Sequence, residues 1–279
     1  MDWSRTKTIM IVALLITNFI LFVMLYGNQV KGLWPDSNSD QNLSEVVELL
    51  ASRDIMIENE LKTFPDSLPG LRLTYEMFDE EYKASQALSE PMEYVNGFYT
   101  NGVAILDVKE NQTLEYSVVE PTSIVKEMDE RKATEVALLK LSEFDLYGNY
   151  NEIVRSEQVD NGDWEIELSQ FYQGYFLENA YIKVTVRNEE VILIQKKWFS
   201  QVEQLSDQHP IISLDHALFK AVPLIKQKYD KATITDIQLG YRMIFSPLAI
   251  DVQSGEAAPY WLVMINGTDP IYIPASVTE

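Results

Sequence analysis

The chain has 279 residues, 46% hydrophobic and 11% aromatic, with 43 acidic against 22 basic side chains and a formal net charge of −21. That apolar content excludes a disordered chain, and the charge excludes a polyanion binder, so no nucleic acid is expected among its partners. The absence of cysteine excludes disulfides and thiolate metal sites.

Residues 9–26, IMIVALLITNFILFVMLY, hold no charge. At about 1.5 Å of rise per residue this run spans roughly 27 Å, close to the hydrocarbon thickness of a bilayer, and it is read as a single-pass transmembrane helix. Arg5 and Lys7 precede it and Asp36 and Asp40 follow, so the N-terminus is expected in the cytoplasm and the C-terminal domain outside the cell membrane. A cleaved signal peptide would have a shorter apolar region and a small-x-small site, which YGNQVKG lacks. Within the helix Ala13 and Thr17 form a small-residue pair four apart, and Asn18 adds an amide that is costly when left alone in hydrocarbon. Ala13, Thr17 and Asn18 are therefore the candidate face for a partner helix, against the plainer alternative that Thr17 bonds back to its own helix.

Residues 27–42 read as a linker, with the turn-prone PDSNSDQN at its end. A helix is expected from Ser44, then a strand over 55–64, a turn from Pro65 to Gly70, and a strand in LRLTYEMF. Residues 79–97 show no clear pattern. VAILDV and TLEYSVV read as a hairpin with one buried face each. Residues 43–121 thus form an α+β portion.

The remainder reads as two copies of one plan. DERKATEVALLKLSEF predicts an amphipathic helix with Asp129 as cap and Ala133, Ala137, Leu141 and Phe144 on one stripe. Shifted by 84 residues, a second helix from Ser213 places Ala217, Ala221 and Ile225 on the matching positions, with Pro223 expected to kink it. Three strand-like runs follow each helix, so residues 122–205 and 206–279 are expected as tandem helix-plus-antiparallel-meander units of an α+β fold. Residues 246–258 read as a loop and a candidate contact surface.

Catalytic constellations are missing from the pattern. His209 and His216 have no metal-ligand spacing, and no serine elbow, SxxK or Gly-rich phosphate loop occurs, so no enzyme activity and no cofactor are expected. Asp79, Glu80 and Glu81 are adjacent, but 43 carboxylates will place some pair at glycosidase distance by chance. Asp160, Asn161 and Asp163 lack a complete calcium-loop pattern and read as a hairpin turn.

The opening MDWSRTKTIMI, the single anchor, the acidic region beyond it, the tandem units and the ending PYWLVMINGTDPIYIPASVTE together resemble the YycI family of regulatory membrane proteins. The chain departs from the family's Thr-Gly-Glu type ending at Val277, Thr278 and Glu279. The resemblance implies a non-enzymatic role in the cell membrane of Gram-positive bacteria. Its implied partners are the sensor histidine kinase WalK (YycG), in two-component signal transduction controlling the cell wall, and a YycH-like protein. Helix-plus-sheet units also resemble PepSY-like domains, which leaves open an extracytoplasmic binding module, such as a protease inhibitor or a cell-wall-associated chaperone.

Overall fold

The computed structural model describes residues 39–58, 63–109, 112–121, 127–148, 151–244 and 253–276. The apolar run 9–26, with Ala13, Thr17 and Asn18, lies outside them; among the described residues no helix is long and apolar enough to cross a membrane. The fold is α+β, mostly sheet, with four helices among the described residues: α1 (Ser39–Ser52), α2 (Glu80–Ala87), α3 (Glu130–Glu143) and α4 (Leu214–Lys228). The strands are β1 (Ile55–Ile57), β2 (Ser67–Tyr75), β3 (Glu93–Val95), β4 (Phe98–Thr100), β5 (Ala104–Lys109), β6 (Thr113–Val118) and β7 (Asn151–Gln158). They continue with β8 (Trp164–Tyr172), β9 (Tyr175–Arg187), β10 (Glu190–Lys197), β11 (Phe199–Pro210), β12 (Ala232–Met243), β13 (Ser254–Ile265) and β14 (Asp269–Pro274). Leu50–Glu279 form one compact unit, and residues before Leu50 belong to another.

The amphipathic helix α3 forms where its pattern requires. The Asp129 side chain accepts from the Lys132 N–H at 2.8 Å, a cap that stabilises by about 1 kcal/mol. Ala133, Ala137 and Leu141 are fully buried against β7 to β10, and Ala217, Ala221 and Ile225 of α4 are fully buried in the same register against β13 and β14. Alanine at i and i+4 lets each helix sit close on its sheet, and each buried Leu or Ile adds about 1.5–3 kcal/mol. The match ends at Phe144, buried, whose counterpart Lys228 is exposed. Pro223 lies inside α4 without interrupting it.

Each helix is followed by an antiparallel meander, β7-β8-β9-β10 after α3 and β12-β13-β14 after α4. The turn signals hold: Asn188 and Glu189 both have positive φ between β9 and β10, as do Asn266 and Gly267 between β13 and β14. Such left-handed pairs match the twist of flanking strands. The β5–β6 hairpin is also as expected.

The two meanders are not separate sheets. The main strand order is β11-β2-β13-β12-β9-β10-β6-β5-β4-β3. The join is a short parallel contact in which Gly240 and Tyr241 of β12 pair with Phe176 and Leu177 of β9. Beyond it β9 bends at Asn179, which has a φ of 63°, and then pairs with β10 from Tyr181 onward. Asparagine tolerates that left-handed conformation, so the bulge lets one strand serve both sheets. The early segment is likewise divided between them: β2 lies between β11 and β13, whereas β3 to β6 extend the sheet beyond β10.

Several local expectations need correction. The helix begins at Ser39, so Ser39–Asn42 are not linker. Only Ile55–Ile57 of the expected strand 55–64 is strand, pairing in parallel with β12, and residues 59–62 lie outside the described ones. Ser67–Gly70 extend β2 instead of turning, because Leu68 is buried and Pro69 sits where the pairing with β11 slips register, a position that tolerates proline. Residues 254–258, expected as loop, open β13, with Ala257 and Ala258 buried beside β2; residues 246–252 lie outside the described ones.

A side chain at Gly240 would overlap both the ring and the carbonyl oxygen of Phe176. Gly240→Ala is expected to destabilise the folded unit by about 1–3 kcal/mol, lowering Tm by several degrees in a thermal melt followed by circular dichroism. Gly97→Ala, where a Cβ meets nothing within 4 Å, serves as a turn-strain comparison and should cost about 1 kcal/mol from its positive φ alone.

Candidate functional site

A cleft of about 910 Å³ opens on the folded unit. Its lips are the β8–β9 turn at Gln173–Gly174 and the segment after α3, including Asp145 and Tyr147. Gln170 on β8 builds the floor. Its amide donates to the Phe199 carbonyl at 2.9 Å and accepts from the Phe199 N–H at 3.0 Å, standing in for a strand partner where β11 begins. Trp198 packs over Gly148, where any Cβ would come within 2.6 Å of the indole.

Two lysines lie in this floor. Lys196 is only 4% exposed and pairs with Glu76 at 2.8 Å. Lys83, on α2, donates to the Asp145 carbonyl at 2.6 Å and to its carboxylate at 3.1 Å. Burial pushes the Lys196 ammonium below the usual lysine range, Glu76 pulls it back up, and Lys83 pushes it down again. α2 itself is a short, polar helix that the sequence pattern missed. The triplet Asp79, Glu80 and Glu81 explains it: Asp79 caps the Tyr82 N–H at 3.0 Å and the two glutamates occupy the first turn, where the helix dipole favours them.

Lys196 is paired with Glu76, Ser200 donates to the carbonyls of Thr74 and Tyr75, and no histidine is among the residues lining the cleft. Among the described residues no group of three or more His, Asp or Glu is arranged to hold a metal ion. Asp163 forms a bidentate pair with Arg187 at 2.6 and 2.7 Å behind the turn at Gly162, so it serves the hairpin. His209 lies against Gly70, and His216 is exposed in the first turn of α4, near Ser213.

A second groove of about 650 Å³ runs beside the β9–β12 join, lined by Glu178, Tyr181, Gln238 and Tyr272 among others. Glu178 approaches Arg242 at 2.8 Å without hydrogen-bond alignment, and Arg242 in turn covers the Tyr272 ring at 5.1 Å. Burial raises the Glu178 carboxyl, and Arg242 partly offsets this. Nearby Tyr75 is stacked on Phe199, and its buried hydroxyl has no hydrogen-bond partner among the described residues. Burial, with the charge of Glu178, pushes that phenol up to about 12.

The architecture is that of an α+β protein whose two helix-covered meanders merge into one sheet. The chain belongs to the YycI family: the model of the family described as YycI protein matches residues 35–272. The match covers most of the chain and begins beyond the apolar run. Similar solved structures include an uncharacterized protein from Eubacterium rectale ATCC 33656, at 11% identity and a TM-score of 0.48, covering 85% of this chain and 97% of that one. Another is the Bacillus megaterium YpeB C-terminal domain, at 14% identity and a TM-score of 0.37, covering 88% of this chain and 94% of that one. The chain matches no curated protein.

Two outcomes test this geometry. Glu76→Gln leaves a buried ammonium without its counter-charge and should cost about 2–4 kcal/mol, whereas Lys196→Met frees a carboxylate that water can reach and should cost under about 1.5 kcal/mol; urea midpoints separate the two. For Tyr75, the unfolded phenol ionises near pH 10 while the folded one keeps its proton to about 12, so stability falls across that window. Tyr75→Phe should be near neutral at pH 7 and should reduce the loss measured between pH 10 and 12.

Proposed function

We propose that this chain is a membrane-anchored, non-enzymatic regulator of a two-component sensor histidine kinase of the WalK (YycG) type, acting beside a YycH-like partner in cell-wall control. The observation that carries this reading is the family match over residues 35–272. The uncharged run at 9–26 supports the anchored topology, with the folded unit outside the cell membrane. A regulator biases a kinase only through different affinities for its two signalling states, typically about 1–3 kcal/mol, which a few helix contacts supply. Thr17 and Asn18, with Ala13 allowing close approach, are the proposed contacts.

The cleft of about 910 Å³ favours a second reading, an extracytoplasmic binding module such as a protease inhibitor or cell-wall-associated chaperone. The two differ in where affinity resides. The anchored regulator should co-purify with the kinase from membranes, and replacing residues 9–26 by an unrelated transmembrane helix, or Asn18 by Leu, should weaken co-purification and shift kinase output. Unchanged output after the replacement, with residues 36–279 alone binding at full affinity, favours the binding module.

A further inference from the structure

Helix α4 is a cationic element in an acidic protein. It carries Lys220, Lys226 and Lys228 against Asp215, three positive charges against one negative, for +2. In α3 three basic and three acidic residues cancel, and α1 carries Asp40, Glu45 and Glu48 with no basic residue. Taking Asp2, Arg5 and Lys7 from the whole-chain totals leaves 42 acidic and 20 basic residues after residue 8, a net −22, so α4 stands out in sign from its surroundings.

Its outer face is also apolar. Ala217, Leu218, Ala221, Val222 and Ile225 are buried, but Phe219 is 58% and Leu224 42% exposed, with Lys220 exposed between them. Aromatic and aliphatic side chains beside lysines on one helix face suit the boundary between lipid headgroups and acyl chains. The helix lies where the chain enters the folded unit. Lys226 donates to the Arg53 carbonyl at 3.1 Å, and Ala232, just past the helix, donates to the Asp54 carbonyl at 3.1 Å.

We propose that the outer face of α4, through Phe219, Lys220 and Leu224, docks on the anionic headgroup surface of the bilayer that anchors the chain. This rests on the anchored reading above. The net negative charge does not oppose it, because at physiological ionic strength charges farther than roughly 8 Å from a surface are screened. A tethered acidic domain turns toward an anionic bilayer the face that is locally positive; Lys220 meets the headgroups while Phe219 enters the interface, Lys226 being engaged with the Arg53 and Asp230 carbonyls and Lys228 with Asp269.

The natural chain has no cysteine, so Gln227→Cys, on the same exposed face, carries a single nitroxide label. The full-length protein is reconstituted in phosphatidylcholine vesicles with or without phosphatidylglycerol, and label collisions with oxygen and with a water-soluble nickel chelate are read by electron paramagnetic resonance. The expected result is loss of nickel collisions and gain of oxygen collisions only with phosphatidylglycerol, reversed by Lys220→Glu or Phe219→Ser. Equal nickel access in both vesicles overturns the docking. Protection that appears only on adding the kinase also overturns it, and assigns the face to a protein partner. Vesicle flotation of the same samples separates the two levels: protein that floats but stays unprotected sinks the docking alone, whereas protein that fails to float sinks the anchored reading.

Discussion

The close parallel approach of β12 to β9 at Gly240 and Phe176 is the constraint on which the rest of the sheet depends. Without a Cβ at Gly240 the Phe176 ring and backbone lie directly against β12, and two meanders that would each end in an open edge become continuous. The bend at Asn179 then frees the remainder of β9 to pair with β10. Two backbone devices, one glycine and one left-handed asparagine, therefore couple the α3 layer to the α4 layer.

Polar groups are concentrated where these layers meet the surrounding loops. The Lys196–Glu76 and Lys83–Asp145 pairs tie α2, the end of β2, the end of β10 and the segment after α3 into one floor. Buried charge of this kind adds little net stability compared with apolar packing, yet it penalises any arrangement that separates the partners. The cleft is thus held in one geometry by charge pairing, while Ala, Leu and Ile contacts under α3 and α4 supply the cohesive energy.

Much was legible in the sequence because the signal was local. Asp129 and the stripe Ala133, Ala137 and Leu141 need only a helical period and a cap, and their counterparts 84 residues on are buried in the same register. The β5–β6 hairpin and the turns at Asn188 and Gly267 follow from alternation and from residues that accept positive φ. β7 and β11 were not legible: both are edge strands with polar, mostly exposed residues, held by ladder hydrogen bonds and, for β11, by the side chain of Gln170. α2 escaped notice because its eight residues, EEYKASQA, have only Ala84 and Ala87 as small apolar side chains and so carry no apolar stripe, and the carboxylate that starts it, Asp79, acts as a cap.

By itself the sequence determined the α+β class, the repeated helix register, the acidic surface and membership of the YycI family, since each depends on composition, short-range period or overall pattern. Only the tertiary structure decided that the repeats share one sheet, that β2 crosses from the early segment into the second meander, and that Lys196 lies beneath a cleft. Those features join residues far apart in the chain through backbone pairing and close steric fit, and neither leaves a periodic trace in the residues that make it.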